Sequence, residues 1–382
     1  MRKFVCLYLN TGGGHRSSAN VLKRVMESTH PDVSVELLNG FDSKNYLARF
    51  FFEKCYQLAC NYFPGAWYIT YEMGMCFWIQ RLLNKILAPR TAWYLKRIIK
   101  KAQATDVVSF HFALTPACVT ALRRLGNTIP LTVIVTDPFT VPNAWFYEKN
   151  VQYFVFSDAA KKQAVEQCGV PEKNIRVVPF LLNPKFLMPL SLQDESALRE
   201  KHGIPSDKKV VLLAGGGEGL PNAVRIVQHF VRRKVPFTIV VVCGKDEATK
   251  KILELTAQLH TAIDLRPMGF ISNMDEMIKL CDCAVIKAGP ATLMEVLVSK
   301  KPVIISSYIH GQELGNMHFA VRSGAGWFIR DPEEICDKVC SLLSDDAYLH
   351  SVKRHVGDLP LSTDVKQVAD LLYNRTYASL HA

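Results

Sequence analysis

Short, almost unbroken apolar runs alternate with amphipathic stretches along this chain. Phe4 to Leu9, Val107 to Phe110, Leu131 to Val135 and Val151 to Phe156 recur in the first half; Lys209 to Ala214, Phe237 to Cys243, Ala284 to Ile286 and Pro302 to Ser306 recur in the second. Continuous runs of this length predict strands buried on both faces, the mark of a parallel sheet, whereas Val33 to Leu38 alternates like a half-exposed strand. Helical spacing appears between them, over Ser17 to Ser28, Asn222 to Arg233, Met274 to Leu280, from about Thr292, and over Ile335 to Leu343 and Val365 to Tyr373. Ser157-Asp158 predicts an N-cap for a helix running to Cys168. The chain therefore predicts an α/β protein.

The same plan occurs twice: strand, triple glycine, helix, strand. Thr11-Gly12-Gly13-Gly14-His15 is read as a tight turn after the first run, and Gly215-Gly216-Gly217-Glu218-Gly219 as a turn after Lys209 to Ala214. Two doubly wound halves facing each other across a cleft are expected. Asn183 to Ser196 has two prolines and no clear period, so the linker is placed there. The divisions are residues 1–185 for a first domain, 186–196 for the linker, 197–360 for a second domain, and 361–382 for a helix packing back on the first.

Residues 46–101 differ from the rest. Aromatics crowd there, and from Arg81 to Lys101 there are seven basic residues and no acid. Leu82, Leu83, Ile86 and Leu87 share helical spacing, with Arg81, Lys85 and Arg90 elsewhere on the wheel. Flanked by Trp67, Trp78 and Trp93, this segment suits the interface of an anionic bilayer. A pair of core helices with solvated lysines is the competing account, and nucleic acid a weaker one, since no nucleic-acid motif is recognisable.

Composition narrows the choice. The 382 residues, 49% hydrophobic and 21% charged, describe ordinary globular domains, and the net charge of +11 points to an anionic partner. Eleven scattered cysteines without a C-x-x-C pair are read as reduced thiols of a cytosolic protein, and Cys336 and Cys340 share one helix face. Phe4 to Leu9 is too short for a leader and is read as a first strand, and no uncharged run of spanning length occurs.

Candidate chemistry collects at the ends of the predicted strands. After Gly12 and Gly14, Ser17 stands where a dinucleotide fingerprint needs its third glycine, and no P-loop lysine follows. The glycines instead let a backbone approach a ligand at a helix N-terminus. His15 is a candidate base, because imidazole titrates near neutrality, or a hydrogen-bonding bystander. Thr136-Asp137-Pro138 places a carboxylate at a strand's C-terminal edge, either as a catalytic group or as turn chemistry, and His111 follows the strand before it. The stretch Cys281 to Phe319 organises the second half: strand, Lys287-Ala288-Gly289-Pro290, helix, strand, and a polar loop over residues 310–316.

Five segments in order, TGGGHRSSA at Thr11 to Ala19, GGGEG at Gly215 to Gly219, GFISNM at Gly269 to Met274, KAGPAT at Lys287 to Thr292 and GQELGN at Gly311 to Asn316, resemble the monogalactosyldiacylglycerol synthase and processive diacylglycerol glucosyltransferase group. That group is similar to the transferase that forms peptidoglycan lipid II. The resemblance implies a GT-B fold with two Rossmann-like domains, and inverting transfer of glucose or galactose from a UDP-sugar to diacylglycerol or a related lipid. It implies that Phe270 meets the uracil through its backbone and that Glu295 accepts both ribose hydroxyls. Gly289, Pro290, Ala291 and Thr292 would approach the diphosphate, and Gln312 and Glu313 would hold the sugar. Gly13, Gly14, Gly216, Gly217, Lys287, Ala288, Gly311 and Asn316 complete the expected substrate contacts, and His15 and Asp137 are the expected catalytic pair. Glu295 has a competing role, since Thr292-x-x-Glu295 fits a capping box. The partners expected are a UDP-hexose, a lipid acceptor and an anionic membrane, with no nucleic acid; the location is peripheral on the cytoplasmic face. No D-x-D occurs, so neither an obligatory metal nor a cofactor beyond the donor is expected.

Two departures stand out. Thr140-Val141-Pro142-Asn143-Ala144-Trp145 keeps the group's Trp but lacks the His often found there, and Asn10 replaces the acid common in plant members. An amide does not take up a proton near neutrality. A non-catalytic UDP-sugar-binding protein is therefore one alternative; a UDP-N-acetylglucosamine 2-epimerase-like enzyme, which shares the two-domain fold and donor pocket, is the other.

Overall fold

The computed structural model describes residues 1–10, 14–42 and 77–375, with residues 49, 50, 65, 68 and 69 between them. The chain divides into two units: Met1–Leu182, Ile309–Gly315 and Ser362–Ala382 form the first, Asn183–Tyr308 and Asn316–Leu361 the second.

The first unit is built on a six-stranded parallel sheet. Its strands are β1 Arg2–Tyr8, β2 Val33–Asn39, β3 Asp106–Ser109, β4 Leu131–Ile134, β5 Gln152–Val155 and β6 Ile175–Val177, in the order β2-β1-β3-β4-β5-β6. Alternate side chains of each strand enter different cores. Val5, Leu7, Val107, Val133 and Tyr153 pack with Ala92, Leu95 and Ile99 of α2 (Phe77–Ala102) and Ala117, Cys118 and Ala121 of α3 (Thr115–Arg123). Phe4, Cys6, Val108, Ile134 and Phe154 pack on the other face with Ala19, Leu22 and Met26 of α1 (Gly14–Thr29), and with Val368, Ala369 and Leu372 of the helix Val365–Tyr373. A sheet covered on both faces needs apolar residues at every strand position, which is why its strands read as unbroken runs.

The second unit repeats this plan with β7 Val210–Ala214, β8 Thr238–Val242, β9 Asp264–Met268, β10 Cys283–Lys287, β11 Val303–Ser307 and β12 Gly326–Phe328, ordered β12-β11-β10-β7-β8-β9. This is the doubly wound order, reversing between β7 and β10. The helices α4 (Ala223–Arg233), α5 (Met274–Leu280), α6 (Pro290–Val298) and α7 (Leu314–Arg322) follow strands of this sheet.

Three local expectations are corrected. Gly14 and His15 belong to the first turn of α1, so that helix opens three residues earlier than its apolar spacing indicates. The capping box at Thr292 does not form: Gly289 is the N-cap of α6, with Pro290 at the first helical position and no side-chain cap. Proline pre-set for a helix start moves the boundary upstream and leaves Thr292 and Glu295 inside the helix. The polar loop over 310–316 is also shorter than read, since α7 begins at Leu314 and takes in Gly315 and Asn316. Near the expected linker, Ser191 and Asp194 form a capping box that starts the helix Leu192–Lys201.

Among the described residues no helix is long and apolar enough to cross a membrane. On α2, Leu82, Ile86 and Trp93 are exposed, at 61%, 66% and 58%, beside exposed Arg81, Lys85 and Arg90. The helix thus buries one face and turns a mixed apolar and basic face outward. Trp67 and the side chain of Trp78 lie outside the described residues. The eight described cysteines are all free thiols.

Candidate functional site

The sheet order of the first unit reverses between β1 and β3, and the segments leaving those two strands carry His15 and His111. Side chains at such a reversal stand clear of crossover helices, which is where open sheets bind ligands. The two imidazole centroids are 4.8 Å apart, and the Trp145 ring lies 6.2 Å and 6.3 Å from them. His111 Nδ1 accepts a hydrogen bond from the Ala113 N–H at 3.2 Å, so its proton sits on Nε2. Thr136 Oγ1, just past β4, lies 2.7 Å from His15 Nδ1. Burial lowers the His15 pKa to about 4, against a small opposing pull from the Phe110 carbonyl; burial, then the neighbouring His15, holds His111 well below the ordinary range. Both rings are neutral near pH 7.

Asp137 follows Thr136 and is also buried. The Trp145 indole N–H donates to its Oδ2 at 2.8 Å. Burial raises its pKa to about 6; the hydrogen bonds from Trp145 and Gln312 oppose this, and the charge of Glu313 adds to it. A buried carboxyl whose pKa is raised toward neutrality is suited to taking a proton from a bound hydroxyl. Gln312 and Glu313 reach this cluster because residues 309–315 belong to the first unit. Glu313 is only 3% exposed, and its Oε2 accepts from the Ile309 N–H at 2.7 Å. Gly311 sits at φ +78°, and the Gly315 N–H donates to Thr140 Oγ1; a Cβ on Gly315 would collide with that hydroxyl. The glycine spacing of GQELG thus allows the loop to turn inward and meet the segment after β4.

In the second unit the reversal lies between β7 and β10, and both glycine segments emerge there. After β7, a Cβ on Gly215 would overlap the Gly219 carbonyl, and one on Gly219 the Cys243 carbonyl. Gly216 and Gly217 face open space. After β10, α6 begins with a glycine N-cap and a proline, leaving the Ala291 and Thr292 amides without a side-chain cap. Such an opening favours an anion. Asn316 of α7 braces it, its Nδ2 donating to the Ala288 carbonyl at 2.8 Å, while its buried Oδ1 has no donor among the described residues. Glu295 lies one turn into α6, half-buried, its pKa raised to about 7 by burial and then by the charge of Asp275. Phe270 stands 69% exposed at the end of β9.

The structure therefore gathers His15, Asp137, Gln312 and Glu313 in one unit, and Gly216, Gly217, Lys287 to Thr292, Glu295 and Asn316 in the other. Gly13 lies outside the described residues. His111, Thr136 and Trp145 join the first cluster without having been assigned a role from sequence. The usable signal for His111 was its position just past a strand at the sheet reversal.

Comparison with solved structures agrees with this architecture. MurG of Acinetobacter baumannii superposes with a TM-score of 0.59 over 98% of this chain and 100% of that one, at 16% identity. The UDP-GlcNAc 2-epimerase of Neisseria meningitidis, bound to UDP-GlcNAc, gives 0.62 over 98% of both at 11% identity. These likenesses establish the fold alone: two Rossmann-like units of the GT-B glycosyltransferase class.

Sequence carries the assignment further. Residues 15–179 match the monogalactosyldiacylglycerol (MGDG) synthase family and residues 194–356 match glycosyl transferases group 1. The processive diacylglycerol beta-glucosyltransferase of Bacillus pumilus is 31% identical over 67% of this chain and 67% of its own length; that of Bacillus licheniformis is 29% identical over 74% and 73%. Monogalactosyldiacylglycerol synthase 2 of Arabidopsis thaliana is 27% identical over 87% of this chain and 72% of its own. The chain is a glycosyltransferase belonging to the MGDG synthase and processive diacylglycerol glucosyltransferase family.

Proposed function

We propose that this protein transfers a hexose from a UDP-sugar to diacylglycerol or a related lipid at a membrane surface, inverting the anomeric configuration. The observation that carries this reading is the pairing, in a family with such named members, of an uncapped helix N-terminus with a titratable carboxyl one turn into the same helix. The Ala291 and Thr292 amides and Lys287 take the charge of the diphosphate, and the open side of Gly216 and Gly217 admits its backbone-close approach. Glu295 as a carboxylate accepts from both hydroxyls of the ribose diol, and Phe270 lies against the base. Gly14 and Gly311 of the first unit, and Asn316 of the second, are further substrate contacts in this reading. The acceptor hydroxyl attacks the anomeric carbon, its proton passes to Asp137, and the bond to the diphosphate breaks with its electron pair leaving on UDP. His15, neutral and held beside Thr136, orients the hydroxyl. Gln312 and Glu313 shape the pocket around Asp137 and the sugar. The scheme uses no metal and no further cofactor.

The mixed face of α2 supplies the membrane contact, its exposed Leu82, Ile86 and Trp93 entering the headgroup boundary and Arg81, Lys85 and Arg90 meeting anionic lipid on the cytoplasmic side. Purified protein given UDP-glucose or UDP-galactose with vesicles containing diacylglycerol should form a glycolipid detectable by mass spectrometry. Retained UDP binding with no donor consumed for any lipid would remove the transfer reading. Leu82→Ser with Ile86→Ser should reduce sedimentation with anionic vesicles, leaving a residual binding that salt abolishes.

A further inference from the structure

The segment from Asp137 to Trp145 carries both ends of the hydrogen bond that holds the candidate base. Residues 136–142 belong to no helix or strand. They lead into a 3₁₀ turn, Asn143–Phe146, whose N-cap is Pro142 and which has no side-chain cap. The Trp145 backbone N–H donates to the Pro142 carbonyl at 3.0 Å. Trp145 is fully buried, and its indole N–H reaches back eight residues to Asp137 Oδ2 at 2.8 Å. A connection without a ladder of backbone bonds takes its geometry from the side chains that meet it.

One helix supplies several of those side chains. Ser157 caps the helix Asp158–Lys162, and its hydroxyl also donates to the Pro138 carbonyl. The helix then widens into a single π turn, Gln163–Gln167, closed by the Cys168 N–H on the Gln163 carbonyl at 3.1 Å. On a regular α-helix, residues five apart point about 140° away from each other. A bond that spans five residues stacks them on one side, and such π turns are frequent at functional sites. Gln163 and Cys168 accordingly reach the same atom. Gln163 Nε2 donates to Asn143 Oδ1 at 3.0 Å, and the Cys168 thiol, whose pKa burial raises, donates to it at 3.2 Å. Gln163 Nε2 also donates to the Val141 carbonyl at 2.6 Å. A carbonyl only accepts, so the end of the Gln163 amide facing Val141 is the nitrogen. The Asn143 atom facing that nitrogen is then the oxygen. Gln163 thus holds the chain on both sides of Pro142, where the turn bearing Trp145 starts.

We propose that Gln163 is a positioning residue for the transfer reaction: by clasping Val141 and Asn143 it fixes the turn that lays the Trp145 indole on Asp137. This rests on the reading of Asp137 as the group that takes the acceptor's proton. A donated hydrogen bond favours the carboxylate over the acid, so the indole keeps this buried group ionised and available. The other groups that face Asp137 come from the loop over 309–315: Gln312, which also donates, and Glu313, whose charge acts the other way. Thr140 ties that loop to the same segment through the Gly315 N–H, so both donors to Asp137 depend on where the segment lies. His15 and His111, with centroids 6.2 Å and 6.3 Å from the Trp145 ring, are neutral and add no charge.

The test follows the Trp145 indole N–H resonance of the isotope-labelled full chain against pH, beside turnover and UDP affinity. The resonance is identified as the one missing from Trp145→Phe. In the parent it should follow the Asp137 proton, with a midpoint of about 6. Gln163→Met keeps bulk and removes both donations. Its indole midpoint and its turnover midpoint should each rise by about half a unit to one unit. Maximal turnover should fall on the order of tenfold, with UDP affinity held. Gln167→Met, at an exposed position of the same π turn, should match the parent in every reading. Should Gln163→Met fail to fold, Asn143→Ala, which removes the shared acceptor at a half-buried position, should move both midpoints the same way. A lower melting temperature with both midpoints unmoved would reduce Gln163 to packing and overturn the proposal. An equal shift in Gln167→Met would overturn it too. A shifted indole midpoint with an unshifted turnover midpoint would uphold the clasp and remove Asp137 as the base.

Discussion

The two sheet reversals occupy equivalent places in equivalent folds, yet their chemistry differs in kind. In the first unit, side chains fill the reversal: two imidazoles, an indole and a carboxyl, buried against one another. In the second, backbone does most of the work, with two glycines facing open space and a helix N-terminus left uncapped. A proton-transfer group gains from burial, because desolvation moves its pKa toward the working pH. A diphosphate site gains from exposed amides and the absence of Cβ atoms, which let several donors converge without a dedicated counter-charge. In the proposed reaction one edge would tune ionisation and the other would hold charge.

The sharpest way to break this division is Asp137→Asn. If Asp137 takes the acceptor's proton, turnover should fall roughly 10²- to 10⁴-fold, the usual range for a general base, with UDP affinity unchanged. In the parent, turnover should rise with pH through about 6 and level off above it. His15, neutral above about 4, adds no limb in that range. The same variant has a stability signature. The folded carboxyl binds its proton more tightly than the unfolded one, so native Asp137 loses stability as pH rises from 3.8 through about 6. Asp137→Asn should therefore be more stable than the parent at pH 7.5, by on the order of 1–3 kcal/mol. His15 has the opposite sign, gaining stability as pH rises from about 4 to 6.5. The variant should accordingly lose stability on acidification more steeply than the parent. Unchanged turnover would take the base away from this cluster.

Glu295→Gln probes the other edge with a smaller expected effect. Hydrogen bonds to a charged group contribute about 1.5–3 kcal/mol each, so UDP affinity should drop roughly 10- to 100-fold, with turnover at saturating donor nearly retained. Because the free carboxyl titrates near 7, hydroxyl donation should draw its proton off. UDP affinity in the parent should rise between pH 6 and 8 and be flat in the variant. A pH-dependent variant would assign the titration to another group.

These two sites were not equally legible in the sequence. Central strands such as β1, β4, β7 and β10 were plain, since burial on both faces leaves an unbroken apolar run. The edge strands β6, β9 and β12 were not: β6 and β12 have three residues each, and β9 contains Pro267, which an edge tolerates because its N–H has no partner to lose. The glycine segments announced the edge of the second sheet directly, because a missing Cβ is itself a sequence signal. The first cluster announced only His15 and Asp137. Trp145 was noted only as the Trp shared with the resembling group and Thr136 only as part of a turn, and nothing in a linear pattern tells that an indole N–H will meet the carboxylate eight residues before it. Glu295 could be read as ribose ligand or cap, and only the position of Pro290 at the helix start removed the second role.

The smallest expected effect isolates what the glycines are for. Gly14 and Gly217 share one property: a Cβ built on either meets nothing within 4 Å, and neither has a positive φ. Folding therefore places no demand on them, unlike Gly219, whose φ of +79° and contact with the Cys243 carbonyl require glycine. Alanine at either compatible position should leave stability unchanged or raise it by about 0.4–1 kcal/mol, through the unfolded chain. The functional outcomes should diverge. At Gly217 the methyl occupies space reserved for the donor, so UDP affinity should fall several-fold while the melting temperature holds. At Gly14, in the unit assigned to proton transfer, UDP affinity should stay at the parental value and only acceptor turnover should respond. Equal loss of UDP affinity in both variants would mean that the first unit also grips the donor, and the division of labour between the two edges would have to be redrawn.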